Sequence, residues 1–386
     1  MVNKIPVDTL YYATIVTKDA KALARDHANF YGITRWDVVH HTTGRLKDFN
    51  FRGRTPTSPP NLGLTGPNPT PGEFNFISAI GTSDNGGLTF QIVQPTGGMS
   101  TFEHFLVTRG QGVHSLFMSV VEPNDFTKLR DWLASEGIKV AQSFSIDDAA
   151  DYYYFDTRAA FGGYYLQVVA PRVKDWKSSI KTNEVWDFSN EITRPAAVKA
   201  PLNITGITHF GVIVDDVEKY VDTYAHFFGQ TLWRGMHWRT EEGSLENTTC
   251  NGKPVEHGYF TGRGDVGKNP LGVDFGFEIV QPTFGPSHYK EDFLLRLGPG
   301  IHHMDLAMAI HDWDEWKVLN DWLDKDFEAP VCMSGMLRGG ASLFQYQNSQ
   351  KRLGYVTEIH APRDKDKPKQ RWAPDYWYDF AGKVAD

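Results

Sequence analysis

Apolar and β-branched residues fill ITHFGVIV (207–214), the pattern of a buried strand. Asp215 and Asp216 follow where a helix N-cap is expected. Val217, Tyr220, Val221, Tyr224, Phe227 and Phe228 then recur at helical spacing, and Gly229 marks the stop. Residues 233–275 are rich in Gly, Asn and Thr and predict two strands with long loops. FGFEIVQ (275–281) predicts the strand that closes this unit. GIHHMDLAM (300–308) opens a second unit, whose helix is marked by Trp313, Trp316, Leu319, Trp322 and Leu323. Its last strands fall near ASLFQYQ (341–347) and GYVTEIH (354–360). Each unit reads βαβββ.

The same order runs from Leu10 to Pro171. QIVQP (91–95) matches EIVQP (278–282), and GVHS (112–115) matches GIHH (300–303). Both helices that follow contain DWL, at 131–133 and 321–323. GGYYLQVVAP (162–171) parallels LGYVTEIHAP (353–362). This period exceeds that of solenoid repeats and indicates tandem duplication of a whole domain. The expected fold is α+β, with four βαβββ units in two tandem modules. The first module spans 1–171 and the second 205–362. Residues 172–204, which mix charges with Pro and Ala, read as a linker, and 363–386 as a C-terminal tail.

At 386 residues the chain has room for two domains of ordinary size, and 40% hydrophobic content supplies their cores. Its net charge of −8, without a basic run, argues against a nucleic-acid partner. No apolar stretch approaches membrane-spanning length, which argues against a membrane partner. MVNKIPVDTLYY lacks the apolar core and cleavage site of a signal peptide. Cys250 and Cys332, the only cysteines, do not form a metal-type pair in sequence, so a reducing cytoplasm is the simplest setting.

The repeat also isolates candidate chemistry. His209, Glu278, His303 and Glu358 stand at matching points of the second half, where the first half carries Tyr12, Gln91, Ser115 and Gln167. Each of the four interrupts an apolar strand, where a charge is costly unless paired or metal-bound. Two imidazoles and two carboxylates can hold one divalent metal and leave room for a substrate oxygen. The plainer reading is a pair of buried Glu–His salt bridges; four such residues at repeat-equivalent positions weigh against it. His302 should point to the opposite face from His303 by strand alternation. His257, Tyr259, Arg338, Tyr346 and His360 fall on or near strands that could line a substrate pocket. The aromatic groups Trp233–Trp238 and Trp372–Tyr378 could wall it or pack in the core. Cys332 reads as an inert buried thiol. There is no phosphate-cradling glycine loop and no serine nucleophile elbow.

IxHxxVxVxD, the EIVQP segment, GIHH and the closing GxxxE resemble the vicinal oxygen chelate superfamily, whose members include glyoxalase I, methylmalonyl-CoA epimerase and the extradiol dioxygenases. The resemblance covers nearly the whole chain. It implies that the second module curls into an open β-cup around a metal held by His209, Glu278, His303 and Glu358. It implies one divalent metal per chain, whether nickel, cobalt, manganese, zinc or iron(II), and a small-molecule substrate. Four protein ligands favour a redox-neutral isomerase or lyase that stabilises an enediolate on a small carbonyl or acyl substrate, with Glu278 and Glu358 as catalytic carboxylates. The tandem arrangement favours the alternative, an iron(II)-dependent extradiol or 2-oxo-acid dioxygenase. A non-catalytic small-molecule-binding protein is the third reading. The tandem modules can supply internally the pairing that shorter relatives obtain by dimerising, and a homodimer is the further assembly left open.

Overall fold

A computed structural model of the chain describes residues 3–42, 44–52, 74–308, 310, 312–338, 342–361 and 373–382. The first module contributes β1 (Tyr12–Val16), β2 (Arg35–His41), β3 (Leu46–Phe51), β4 (Asn75–Thr82), β5 (Thr89–Gly97), β6 (Gly112–Val120), β7 (Val140–Ile146), β8 (Ala150–Phe155), β9 (Tyr165–Pro171) and β10 (Glu184–Asp187). They form one sheet in the order β10-β2-β4-β5-β1-β6-β9-β8-β7-β3. The second module contributes β11 (Ile207–Ile213), β12 (Leu232–Arg239), β13 (Leu245–Cys250), β14 (Lys253–Pro254), β15 (Gly258–Lys268), β16 (Asp274–Phe284), β17 (Gly300–Leu306), β18 (Val331–Leu337), β19 (Ser342–Gln347), β20 (Val356–Ala361) and β21 (Tyr376–Asp379). Their order is β14-β13-β18-β19-β20-β17-β11-β16-β15-β12-β21.

Each sheet has the same heart. The first strand of a module runs parallel to the last strand of its first unit and antiparallel to the opening strand of its second unit: β1 between β5 and β6, β11 between β16 and β17. The crossover from first to second strand is made by the helix Ala20–Tyr31 in one module and Val217–Phe228 in the other. Their ends follow from the sequence. Asp19 and Asp216 accept from the backbone N–H of Ala22 and Lys219, and Gly32 and Gly229 close the helices at positive φ.

Residues 233–275 hold four strands, β12 to β15, rather than the two expected. Asn251 and Gly252 both adopt positive φ between β13 and β14, the two-residue turn that Asn-Gly favours. β13 then crosses to pair with β18 in the second unit. The 172–204 segment adds β10 to the edge of the first sheet, and β21 of the tail pairs with β12. Residues 362–372 and 383–386 lie outside the described residues.

One continuous apolar core joins the modules. It takes Phe30 and Phe161 from the first, Tyr224, Phe277 and Trp322 from the second. Inside it the hydroxyls of Tyr31 and Tyr355 meet at 2.7 Å, and those of Tyr164 and Tyr224 at 2.9 Å. Two smaller clusters fill the concave sides, one per sheet. No described helix is long and apolar enough to cross a membrane.

Two histidines of the first module are buried in neutral form. His27 Nδ1 lies 2.9 Å from the carbonyl of Leu23, and His41 Nε2 lies 2.8 Å from Ser78 Oγ. Burial pushes His27 down to about 4, and burial with help from Arg45 pushes His41 down to about 3. The unfolded chain takes up these protons near pH 6.5, the folded chain only at the lower values. Their stabilising contribution is therefore present above pH 6.5 and is lost as pH falls toward 4 and then 3, at about 1.4 kcal/mol per pH unit per histidine. Urea midpoints at pH 7, 6 and 5 should fall accordingly. His27→Gln, which keeps a donor for the Leu23 carbonyl, should show a shallower decline; an unchanged pH slope would count against this origin.

Candidate metal centre

His209 on β11 and Glu278 on β16 sit on parallel neighbours, His303 on the antiparallel partner β17, and Glu358 on β20 beyond it. This register brings the four side chains, far apart in sequence, to one point on the concave face. One donor atom from each lies within 4.8 Å of the others. Glu358 Oε2 is 3.2 Å from both His209 Nε2 and His303 Nε2. Glu278 Oε2 stands slightly farther off, 3.5 Å from His209 Nε2 and 3.6 Å from His303 Nε2. His303 is fully enclosed, whereas Glu278 is the most exposed of the four, at 17% of its side chain.

Gly211 makes room for this arrangement. It pairs with Glu278 on one side and His303 on the other. A Cβ built on it would lie 1.9 to 2.3 Å from three atoms of the His303 ring, so only glycine lets the imidazole lie across the strand. Sequence patterning had no means of singling out this residue, because glycine in an apolar strand also fits a bulge or a close backbone contact.

The donor set suits a cation. His209 Nε2, His303 Nε2 and Glu358 Oε2 are buried and make no hydrogen bond of acceptable geometry. Leaving such groups unsatisfied costs roughly 1–3 kcal/mol each, more where charge is involved. A divalent ion accepted by all four donors removes that cost and matches the N/O ligand chemistry of zinc, manganese, nickel, cobalt or iron(II). Without an ion, protons must do the balancing. Burial alone would lower His209, but Glu278, Glu358 and Asp305 override it and raise the group to about 10. His303 is likewise raised, by the two glutamates against burial. Burial would raise Glu278, but His209 and His303 bring it down to about 2. Glu358 is held well below the usual carboxylate range by His360, His209 and His303, against burial.

Outer partners orient three of the four donors. Asp305 Oδ2 is 3.4 Å from His209 Nδ1 and accepts from the Thr208 hydroxyl, which directs Nε2 of His209 inward. His360 Nε2 lies 3.0 Å from Glu358 Oε1 and leaves Oε2 for the centre. His303 Nδ1 is 3.0 Å from His302 Nδ1, and His302 Nε2 is 2.8 Å from His288 Nδ1. His302 is thus a fully buried partner behind the site.

A cavity of about 280 Å³ opens onto the tetrad. Of the pocket residues expected from sequence, Tyr259, Tyr346 and His360 line it. His257 and Arg338 do not. His257 is buried beside Tyr259, and burial lowers it to about 4. Arg338 pairs with Asp375 at 2.6 Å and lies over the Trp238 ring, turned to the tail rather than the cavity. Trp238 lines the cavity, Trp233 is fully buried in the shared core, and Trp372 lies outside the described residues. Sequence reasoning missed Arg234, Arg263, Met236 and Phe344 on the walls, and Asp305 behind His209. The two arginines are reached through strand pairing, Glu278 with Arg263 and Arg263 with Arg234, which no local pattern reports. Arg263 is held by Asp265 at 2.6 Å and the Thr208 carbonyl at 2.8 Å. Cys332 is buried and burial raises its thiol well above the usual range, so it is unreactive.

The first module closes the equivalent point with neutral groups. Thr14 pairs with Gln91 and Ser115 as Gly211 pairs with Glu278 and His303. Its hydroxyl donates to Gln91 Oε1 at 2.9 Å, and Gln167 Nε2 donates to the Tyr12 hydroxyl at 2.9 Å. Ser115 Oγ lies 3.1 Å from His114 Nδ1. The side chain of Thr14 occupies the space that an imidazole takes in the second module.

No family model matches the chain, and no curated protein does. Solved structures resemble it. A triple variant of 4-hydroxymandelate synthase from Streptomyces coelicolor is 12% identical, covers 92% of each chain and superposes with a TM-score of 0.50. BphC, a halotolerant catechol dioxygenase, is 12% identical over 92% of this chain and 86% of its own, with a TM-score of 0.41. A Mn(II)-bound glyoxalase from Novosphingobium aromaticivorans is 12% identical over 94% and 85%, at 0.42. At 12% identity the first of these likenesses speaks for a shared two-module α+β fold and not for the reaction.

Elemental analysis of purified protein should give about one divalent metal per chain. Gly211→Thr, which copies the first module, should displace the His303 ring and abolish retention while the protein stays folded. Asp305→Asn should weaken metal affinity by roughly 10- to 100-fold. Two tightly held ions per chain, or full retention by Gly211→Thr, would contradict the assignment.

Proposed function

We propose that the second module is a metal-dependent isomerase or lyase that moves a proton next to a carbonyl, with His209, Glu278, His303 and Glu358 as metal ligands. One observation carries this reading. Glu278 Oε2 lies within 3.6 Å of both imidazole Nε2 atoms, so the set has four protein donors and not three. A divalent ion in that set would polarise vicinal oxygens of a substrate and offset the negative charge that develops when the adjacent C–H bond is broken. In this reading Glu278, the most exposed donor and the farthest from the histidines, takes that proton onto its carboxylate and returns it to the neighbouring atom, with no net redox change. Glu358, pinned by His360 and nearly enclosed, stays as an anchor. Tyr259, Tyr346, Phe344 and Trp238 wall off water around an apolar substrate body, while Arg234 and Arg263 on one side support an anionic group on it.

A second reading has its own support. Glu358 is closer to the two histidines than Glu278 is. If Glu278 leaves, His209, His303 and Glu358 form the two-histidine, one-carboxylate set that suits iron(II) oxygenases.

Glu278→Gln separates the two. Solvent-deuterium incorporation into a panel of carbonyl and acyl substrates should fall on the order of 10²- to 10⁴-fold, with metal binding only weakened. Oxygen uptake with catechols and 2-oxo acids, run in parallel, should be absent in parent and variant alike. Oxygen consumption coupled to substrate loss, undiminished by Glu278→Gln, would overturn the proton-transfer reading in favour of the dioxygenase.

A further inference from the structure

The first module keeps a cup of its own, and strand register aligns it with the metal cup. Asp37 pairs with Ile80, and Ile80 with Gln91, just as Arg234 pairs with Arg263, and Arg263 with Glu278. Asp37 therefore stands where the second cup has Arg234, and Ile80 where it has Arg263. By the same logic Tyr152 stands where the second cup has Phe344. The arginines are gone, yet the space is not filled. A cavity of about 500 Å³ remains, larger than the 280 Å³ beside the metal tetrad and within the usual range for small-molecule sites.

Its walls are aromatic: Tyr11, Tyr12, Phe117, Tyr152 and Trp176. The single basic residue on them is Lys177. Its ammonium lies 4.5 Å from the centroid of the Tyr11 ring and 5.4 Å from that of Trp176, and it forms no ion pair with any described residue. Partial burial lowers its pKa, as expected for a cation awaiting a counter-charge. At the floor, the Tyr12 hydroxyl accepts from Gln167, so its own proton is free to be donated into the cavity. The cup thus offers flat apolar faces, a hydroxyl donor at depth and a cation at the mouth. Rings already engaged by an ammonium disfavour a second cation. Asp37, the single acid on the lining, is exposed.

We propose that the first cup is a metal-independent binding site for a small aromatic carboxylate, its ring among Tyr11, Tyr152 and Trp176, its carboxylate on Lys177 and a polar substituent on the Tyr12 hydroxyl. The site does not depend on the reaction of the second cup.

The probe is 4-hydroxybenzoate, titrated calorimetrically into full-length, metal-loaded protein. One equivalent should bind per chain. Lys177→Met, at an exposed position that should not disturb folding, should weaken binding at least tenfold. The uncharged 4-hydroxybenzamide should bind the parent at least tenfold more weakly than the acid. Removing the metal with a chelator, or changing His303 to Ala, should leave the affinity within about twofold. The proposal is overturned by absence of binding, by equal affinity of Lys177→Met and parent, by tighter binding of 4-hydroxybenzylamine than of the acid, or by loss of binding on metal removal, which would place the ligand in the second cup.

Discussion

Three buried polar atoms converge on one point and make no hydrogen bond: His209 Nε2, His303 Nε2 and Glu358 Oε2. That concentration of unsatisfied polarity, in the middle of a sheet, is what the surrounding structure is arranged to tolerate. Outer contacts with Asp305, His302 and His360 hold the far side of each group. In a medium of low effective dielectric, two carboxylates this close would repel unless a cation or protons stood between them. The protonated, metal-free site therefore has its histidines raised and its glutamates lowered, and a divalent ion must displace those protons to enter.

The duplication shows how such a centre is lost or gained by few changes. The strand register is the same in both modules, and so is the position of each crossover helix. What differs is a strand residue at the middle, Gly211 or Thr14, and the four groups around it. Thr14 adds a side chain where an imidazole would lie and a hydroxyl that satisfies Gln91. The first module thereby has a hydrogen-bonded neutral cluster where the second has a costly charged one, worth about 1 kcal/mol per hydrogen bond without any ion. Glycine in a strand weakens it; the second module carries that cost at the place where His303 needs the space.

Much of this was legible in the sequence for a physical reason. Strand alternation and helical spacing report which face is buried, and the repeat doubles every such observation. The helix Val217–Phe228 lies between the cap and stop residues that its pattern announces. Polar residues that interrupt apolar strands are conspicuous, which is why His209, Glu278, His303 and Glu358 stood out. Pairing across the sheet is another matter. Arg263 and Arg234 reach the cavity only because β16, β15 and β12 lie side by side, and Arg338, just past β18, is drawn off by Asp375. Nor does local pattern reveal that β13 leaves its neighbours to pair with β18, or that segments outside the repeat supply the edge strands β10 and β21. These are long-range choices, decided by which edges are left open.

The first module also sets the geometry of the second. β20, which carries Glu358, is entered from a turn that the first module grips. Gln350 donates to the Gln111 carbonyl at 2.6 Å, and Gln111 donates back to the Gln350 carbonyl at 3.1 Å. Tyr355, three residues before Glu358, is fully buried, with its hydroxyl on Tyr31. On the other side, Gly162 approaches Val212 of β11 so closely that a Cβ would lie 2.7 Å away. The strands bearing His209 and Glu358 are thus both braced from the first module, through one shared core. A donor cluster that must hold its atoms to within a few tenths of an ångström gains from such bracing, because the carboxylates would otherwise relax toward solvent. The first module thus braces the strands that carry two of the four donors.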